Sequence, residues 1–113
     1  MTTVVAVADL YGIAGRRHEL VALLAEAERE AAAQPGCTRY SFAAALAEPD
    51  RFVLVGEWRD QAAMDAHYRT ETFATFQFSL DGLLARPSEM TIYSVSASAR
   101  PTASGPMDPR DAD

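Results

Sequence analysis

Apolar residues recur along this chain with two different periods, and the changes between them mark out the elements. Residues 3–10 (TVVAVADL) are apolar and β-branched on both alternations, the pattern of a strand covered on both faces. Gly12 and Gly15 bracket a turn, after which the period lengthens. Over residues 16–33, Leu20, Leu23, Leu24, Ala27 and Ala31 fall at helical spacing with Glu and Arg opposite, until Pro35-Gly36 stops the helix. Residues 38–45 return to a strand pattern with Tyr40 and Phe42 on one face. Glu48-Pro49-Asp50 is a turn, and residues 51–58 are a third strand that closes a hairpin. Asp60 caps a short helix that ends near Tyr68. Thr70 caps a longer one on which Phe73, Phe76, Leu80, Leu83 and Leu84 recur before Pro87 ends it. In residues 89–96, Met90, Ile92 and Ser94 alternate with Thr91, Tyr93 and Val95 as a fourth strand.

Strand, helix, strand, strand, helix pair, strand is the split βαβ plan. It predicts an α+β, ferredoxin-like domain: a four-stranded antiparallel sheet with helices on one face. The strands look apolar on both sides, as Val4 with Val5 and Val53-Leu54-Val55 show. A bare apolar sheet face would be a large exposed patch, so a homodimer that buries it is expected. Residues 1–97 form this domain. Residues 98–113, rich in Ser, Ala, Pro, Gly and Asp without an apolar period, form a flexible or partner-draped tail.

Composition narrows the chemistry. A net charge of −6 argues against a nucleic-acid surface, and no apolar run approaches the ~20 residues that span a bilayer. The N-terminus carries no signal-like pattern, so a cytoplasmic location without membrane contact is expected. There is no Lys, which removes Schiff-base chemistry on a lysine and a Walker-type phosphate loop. The single cysteine, Cys37, is read as a small buried hydrophobe. With two histidines, His18 and His67, no three-His metal site can form in one chain. His18 sits among Arg16, Arg17 and Glu19 and is expected in solvent. Glu26, Glu28, Arg29 and Glu30 make a solubilising helix face.

What remains is the stretch Glu57-Trp58-Arg59-Asp60 followed by His67. It places an indole and an imidazole on either side of a strand-to-helix junction, near one apolar pocket. Glu57 points away from Trp58, towards the dimer seam, where Arg39 or Arg51 can pair with it. For Trp58 and the Phe73/Phe76 stripe, a core role competes with a pocket role.

Several motifs together resemble the antibiotic biosynthesis monooxygenase family of dimeric α+β barrels. They are GRRHEL at 15–20, QPGCTRY at 34–40, EWRD at 57–60, His67, and Thr70-Glu71-Thr72-Phe73 with Phe76. The resemblance runs from about Val4 to Val95. It implies oxidation of a small aromatic phenol, anthrone or quinol by dioxygen without metal or haem. No bound cofactor is expected, with reduced flavin as a possible diffusible co-substrate. In that reading His67 is the base, while Trp58, Tyr40, Phe73 and Phe76 wall the substrate, and Tyr40 or Tyr68 donates to its oxyanion. The chain departs from the family in places. It has no Asn, a residue implicated in polyketide-oxygenating members. Haem-degrading members place an Asn, a Trp and an axial His where this chain has Ala8, His67 and Gln77, so haem degradation is not expected. Glu71 stands where quinol-oxidising relatives carry a second His, and at i, i+4 it could orient His67. The alternatives are a non-oxidative isomerase or cyclase acting on a similar substrate, and a ligand-binding dimer without catalysis.

Overall fold

The chain runs β1 (Thr3–Tyr11), α1 (Arg17–Ala32), β2 (Cys37–Ala44), β3 (Arg51–Trp58), α2 (Gln61–Tyr68), α3 (Glu71–Asp81) and β4 (Glu89–Val95) in the computed structural model, which describes residues 2–101 and Arg110. The strands form one antiparallel sheet in the order β2-β3-β1-β4, the ferredoxin-like α+β arrangement that the element order predicts. Most of the tail expected over 98–113 lies outside the described residues. No helix among the described residues is long and apolar enough to cross a membrane.

Strand periodicity decides which side chains meet the helices. In β1, Val4, Ala6, Ala8 and Leu10 are buried, and in β3 Phe52, Leu54 and Trp58. All of these but Ala6, together with Tyr40, pack against Leu20, Leu24, Ala27 and Ala31 of α1, Met64 of α2, and Phe76 and Leu80 of α3. The register lines up Phe42, Leu54, Ala8 and Met90 in one row across the inner face, with Tyr40, Gly56, Ala6 and Ile92 in the next. Ala8 is the one small residue in the middle of the first row and the inner face dips there, whereas in the second row the Tyr40 ring lies over Gly56.

Two expectations need correction, the end of α3 and the burial of Cys37. Within one chain the alternate face of β1 is half-buried, because Val5 and Val7 lie on the side away from the helices, the face that a second copy is expected to cover. β4 is exposed along nearly its whole length, with Met90, Ile92 and Tyr93 each close to half accessible. α3 stops at Asp81, before Leu83 and Leu84. Those leucines are drawn off the helix because the Leu83 carbonyl accepts from Ile13 N–H at 2.9 Å and Leu84 bridges to Gly12. A methyl at Gly12 would meet Leu20 Cδ2 at 2.7 Å and the Asp50 carbonyl at 3.3 Å, so a side chain there would displace Leu20 from the core. Cys37 is half-buried at the start of β2, and its thiol donates to the Arg39 carbonyl at 3.6 Å.

Glu28 does more than solubilise α1. Its carboxylate accepts from Phe42 N–H at 2.6 Å, satisfying a backbone donor on the edge strand β2. On the far face Arg39 pairs with Glu57 at 3.5 Å, whereas Arg51 is engaged by Asp9 at 2.6 Å and Glu48 at 3.4 Å. His18 is exposed, as its polar surroundings predict.

Candidate functional site

The imidazole owes its position to two helix caps. Asp60 opens α2 by accepting from Ala63 N–H at 2.9 Å, a bond that holds its carboxyl below the ordinary range. The helix then presents Ala63, Met64 and His67 to the core at i, i+1, i+4. Three residues after His67 the chain starts α3 with a second cap. The Thr70 hydroxyl accepts from Phe73 N–H at 3.0 Å and donates to the His67 carbonyl at 2.8 Å. One side chain therefore fixes the backbone of His67 and of Phe73 together.

His67 sits in an aromatic box. Trp58 lies 4.8 Å from its ring centroid, Tyr68 5.1 Å, Phe73 5.2 Å and Tyr40 5.5 Å. Only 7 % of the residue is accessible, and neither ring nitrogen has a hydrogen-bond partner within the protein. The Trp58 indole N–H is also buried without one. Most buried polar groups in native proteins are satisfied, and those that are not call for an explanation. Burial alone holds the imidazole below its ordinary pKa, so it is neutral at pH 7 and able to accept a proton. Burial raises Tyr68, and burial first, then Tyr68 and Cys37, raises Tyr40; both phenols stay protonated donors.

Two cavities border this box. Between the dip in the sheet and α3 lies an apolar pocket of about 70 Å³, lined by Ala8, Leu10, Tyr40, Phe42, Leu54, Tyr68, Phe73, Phe76, Gln77, Leu80, Ser88 and Met90. The Tyr68 hydroxyl donates to the Met90 sulfur at 3.5 Å across its mouth. His67 does not line that pocket. It lines an alcove of about 10 Å³ on the helix side, with Ala27, Glu30, Gln34, Tyr40, Thr70, Thr72, Phe73 and Phe76. That volume is about one water.

Of the six residues singled out from the sequence, Tyr40, Tyr68, Phe73 and Phe76 line the apolar pocket. Trp58 and His67 stand behind its wall, with Trp58 fully buried as core. Glu71 does not orient the imidazole. It lies on the outer side of α3, lining an open groove against α1 with Glu26 and Glu30. The sequence reading missed Met90, Ser88 and Leu10 as pocket residues. The signal that could have found the pocket is Ala8, a small residue on a buried strand face in a row with Phe42, Leu54 and Met90. Ala8 and Gln77, singled out as departures from haem-degrading relatives, both line it.

Known proteins place this architecture. An uncharacterised protein of Synechocystis is 33 % identical over 81 residues, covering 72 % of this chain and 55 % of that protein, so the chain spans about half the length of that curated relative. A solved protein of Mycobacterium tuberculosis superimposes with a TM-score of 0.80 at 23 % identity, covering 87 % of this chain and 99 % of that one. A protein of Deinococcus radiodurans gives a TM-score of 0.83 at 20 % identity, covering 88 % and 99 %. A conserved protein of Methanosarcina mazei gives 0.78 at 25 % identity, covering 82 % and 92 %. Residues 3–78, from the first strand through the aromatic box, match the family model for antibiotic biosynthesis monooxygenase, and the chain belongs to that family.

Proposed function

We propose that this protein is a monooxygenase that oxidises a small phenol or quinol with dioxygen, using no metal or haem. The observation that carries the reading is a buried, neutral imidazole with both nitrogens unpartnered, one aromatic layer from an apolar pocket lined by two phenols. An electron-rich phenolate can reduce dioxygen itself, so the protein need only deprotonate it, orient it and exclude water. His67 takes the phenol proton, and Tyr40 or Tyr68 donates to the oxyanion. Where the ring carries an activated CH2, a carbon–oxygen bond forms and the O–O bond breaks. The carbon becomes a carbonyl, the second oxygen leaves as water, and the substrate supplies all the electrons. For hydroxylation of a plain phenol, reduced flavin diffusing from solution would supply the two further electrons. At about 70 Å³ the pocket favours one ring over a tricyclic anthrone.

The working unit we infer is a homodimer. Val5, Val7, Val53 and Val55 share the outer sheet face and are only half-buried, and Tyr93 beside Val5 is 53 % exposed. A second copy laid on this face would cover the patch. Sedimentation equilibrium should give a dimer for the natural protein and a monomer for Val7→Glu.

The function is tested by incubating the protein with substituted hydroquinones, phenols and a bicyclic anthrone fragment, under air and under nitrogen. Oxygen uptake and product mass are followed. Reduced flavin is supplied to the phenols alone. A product that has gained one oxygen atom, with loss of two hydrogens for the hydroquinones and the CH2 substrate, formed only under air and lost in His67→Ala, supports the proposal. Turnover indifferent to oxygen would replace it with an isomerase or cyclase. Binding without turnover would replace it with a ligand carrier.

A further inference from the structure

Building on that reading, we propose that Phe73 is a movable partition between the apolar pocket and the imidazole, and the residue that sets how large a ring the protein accepts. The two cavities share three lining residues, Tyr40, Phe73 and Phe76, so these form the wall between them. The three are not equally free. Tyr40 is buried on a paired strand and lies against Gly56, where a methyl would come within 3.2 Å of its ring. Phe76 is buried in the middle of α3. Phe73 is half-buried in the first turn of that helix. Its backbone is clamped by Thr70, while its ring meets neighbours only edge-on or tilted, at 4.8 Å from Tyr68 and 5.9 Å from Phe76. A helical Phe has two accessible χ1 wells, so the ring can swing without disturbing the helix.

Volume gives the reason to swing. A cavity that encloses benzene offers about 150 Å³, roughly twice the 70 Å³ available on the sheet side. A substrate ring cannot be enclosed while Phe73 stands in place. If the ring displaces Phe73, it takes over the contacts of the Phe73 ring, one of which is His67 at 5.2 Å. Entry and exposure of the base to substrate then become a single event. In the empty protein the same ring covers the imidazole from the pocket side.

The test uses probes that need no oxygen. Phenol and 2-naphthol are titrated into the natural protein, Phe73→Leu and Phe73→Ala, following the His67 Cε1 proton by NMR. With two histidines in the chain, His18→Gln assigns the signal. Phenol should bind the natural protein and move the His67 resonance. 2-Naphthol should bind both variants about tenfold more tightly than the natural protein, because the second ring gains burial where Phe73 stood. Phe73→Leu keeps the test alive should Phe73→Ala unfold. A gain below fivefold in the folded variants, binding that leaves His67 unmoved, or no binding by any form would overturn the proposal. Normal binding without oxygen uptake would instead sink the monooxygenase reading and leave the partition standing.

Discussion

Replacing His67 by Phe should make the protein more stable while abolishing its activity. The imidazole is 7 % accessible, and one donor and one acceptor on its ring are unpartnered. An unsatisfied buried polar group costs about 1–3 kcal/mol, and replacing it with an apolar group of similar shape removes that cost. Phe keeps the edge and tilted contacts with Trp58, Tyr40, Tyr68 and Phe73, and its extra ring atom has the adjoining alcove of about 10 Å³ to occupy. Overpacking takes back part of the gain, leaving a net stabilisation of about 1 kcal/mol. With an m-value of ~2 kcal/mol/M, that is a shift of roughly 0.5 M in the urea midpoint. The pH dependence supplies a second check. Burial holds the folded imidazole below its ordinary pKa, so on acidification the unfolded chain takes up this proton before the folded one. The stability tied to His67 is fully present above about pH 6.5 and falls away as pH drops from there through the folded value. The variant lacks that loss, so its advantage should widen between pH 8 and pH 5. Urea unfolding of both proteins at the two pH values decides the matter. If His67→Phe loses more than 1 kcal/mol at pH 8, the nitrogens are bonded in solution. The residue is then a structural group, and the argument for a poised base collapses.

Three further outcomes follow from the same geometry. Thr70→Val removes the cap that ties His67 to Phe73 and should cost about 1 kcal/mol in urea unfolding, with a larger proportional loss in turnover than in stability. Gly56→Ala would place a methyl 3.2 Å from Tyr40 Cδ2, so the Tyr40 ring, which lines the pocket, must give way slightly. The variant should bind phenol several-fold more weakly by NMR titration, with about 1 kcal/mol of destabilisation. Oxygen uptake should be flat from about pH 6.5 to 8 and decline only below, because the base is active when neutral and its pKa lies under the ordinary value while Tyr40 and Tyr68 stay protonated. A decline already beginning at pH 7.5 would assign the base elsewhere.

The fold was legible because each element announces its period and its ends. Pro35-Gly36 marks the α1–β2 turn, and Gly36 takes a φ of +81° with room only for hydrogen, since a methyl would meet Ala63 Cβ at 2.6 Å. Asp60 and Thr70 both cap as their residue types predict. The end of α3 was misread because Leu83 and Leu84 continue the helical period. A backbone pairing with Ile13 and Gly12, distant in sequence, claims them instead. β4 forms as its alternation predicts, and at the sheet edge within one chain it has little packed on it. The site was legible only in part. His67 stood out because the chain offers few alternatives, but its separation from the pocket depends on how three aromatic rings stack, and helical or strand spacing says nothing about that.

The sheet explains why the pocket lies where it does. Leu10, Leu54 and Phe42 supply bulk around Ala8, whose methyl leaves the centre of the inner face shallow there. α3 crosses above that centre and cannot fill it from a helical backbone, so Phe73, Phe76 and Leu80 bridge the gap incompletely. Had packing alone shaped this region, a larger side chain at position 8 would have narrowed the void at little cost, each added methylene gaining about 0.8 kcal/mol on burial. A buried imidazole without a protein hydrogen bond beside it runs against stability in the same way. Two independent departures from the best-packed core, one a missing volume and one a missing hydrogen bond, meet on either side of a single ring. Their coincidence at Phe73 is what a site requires and a core does not.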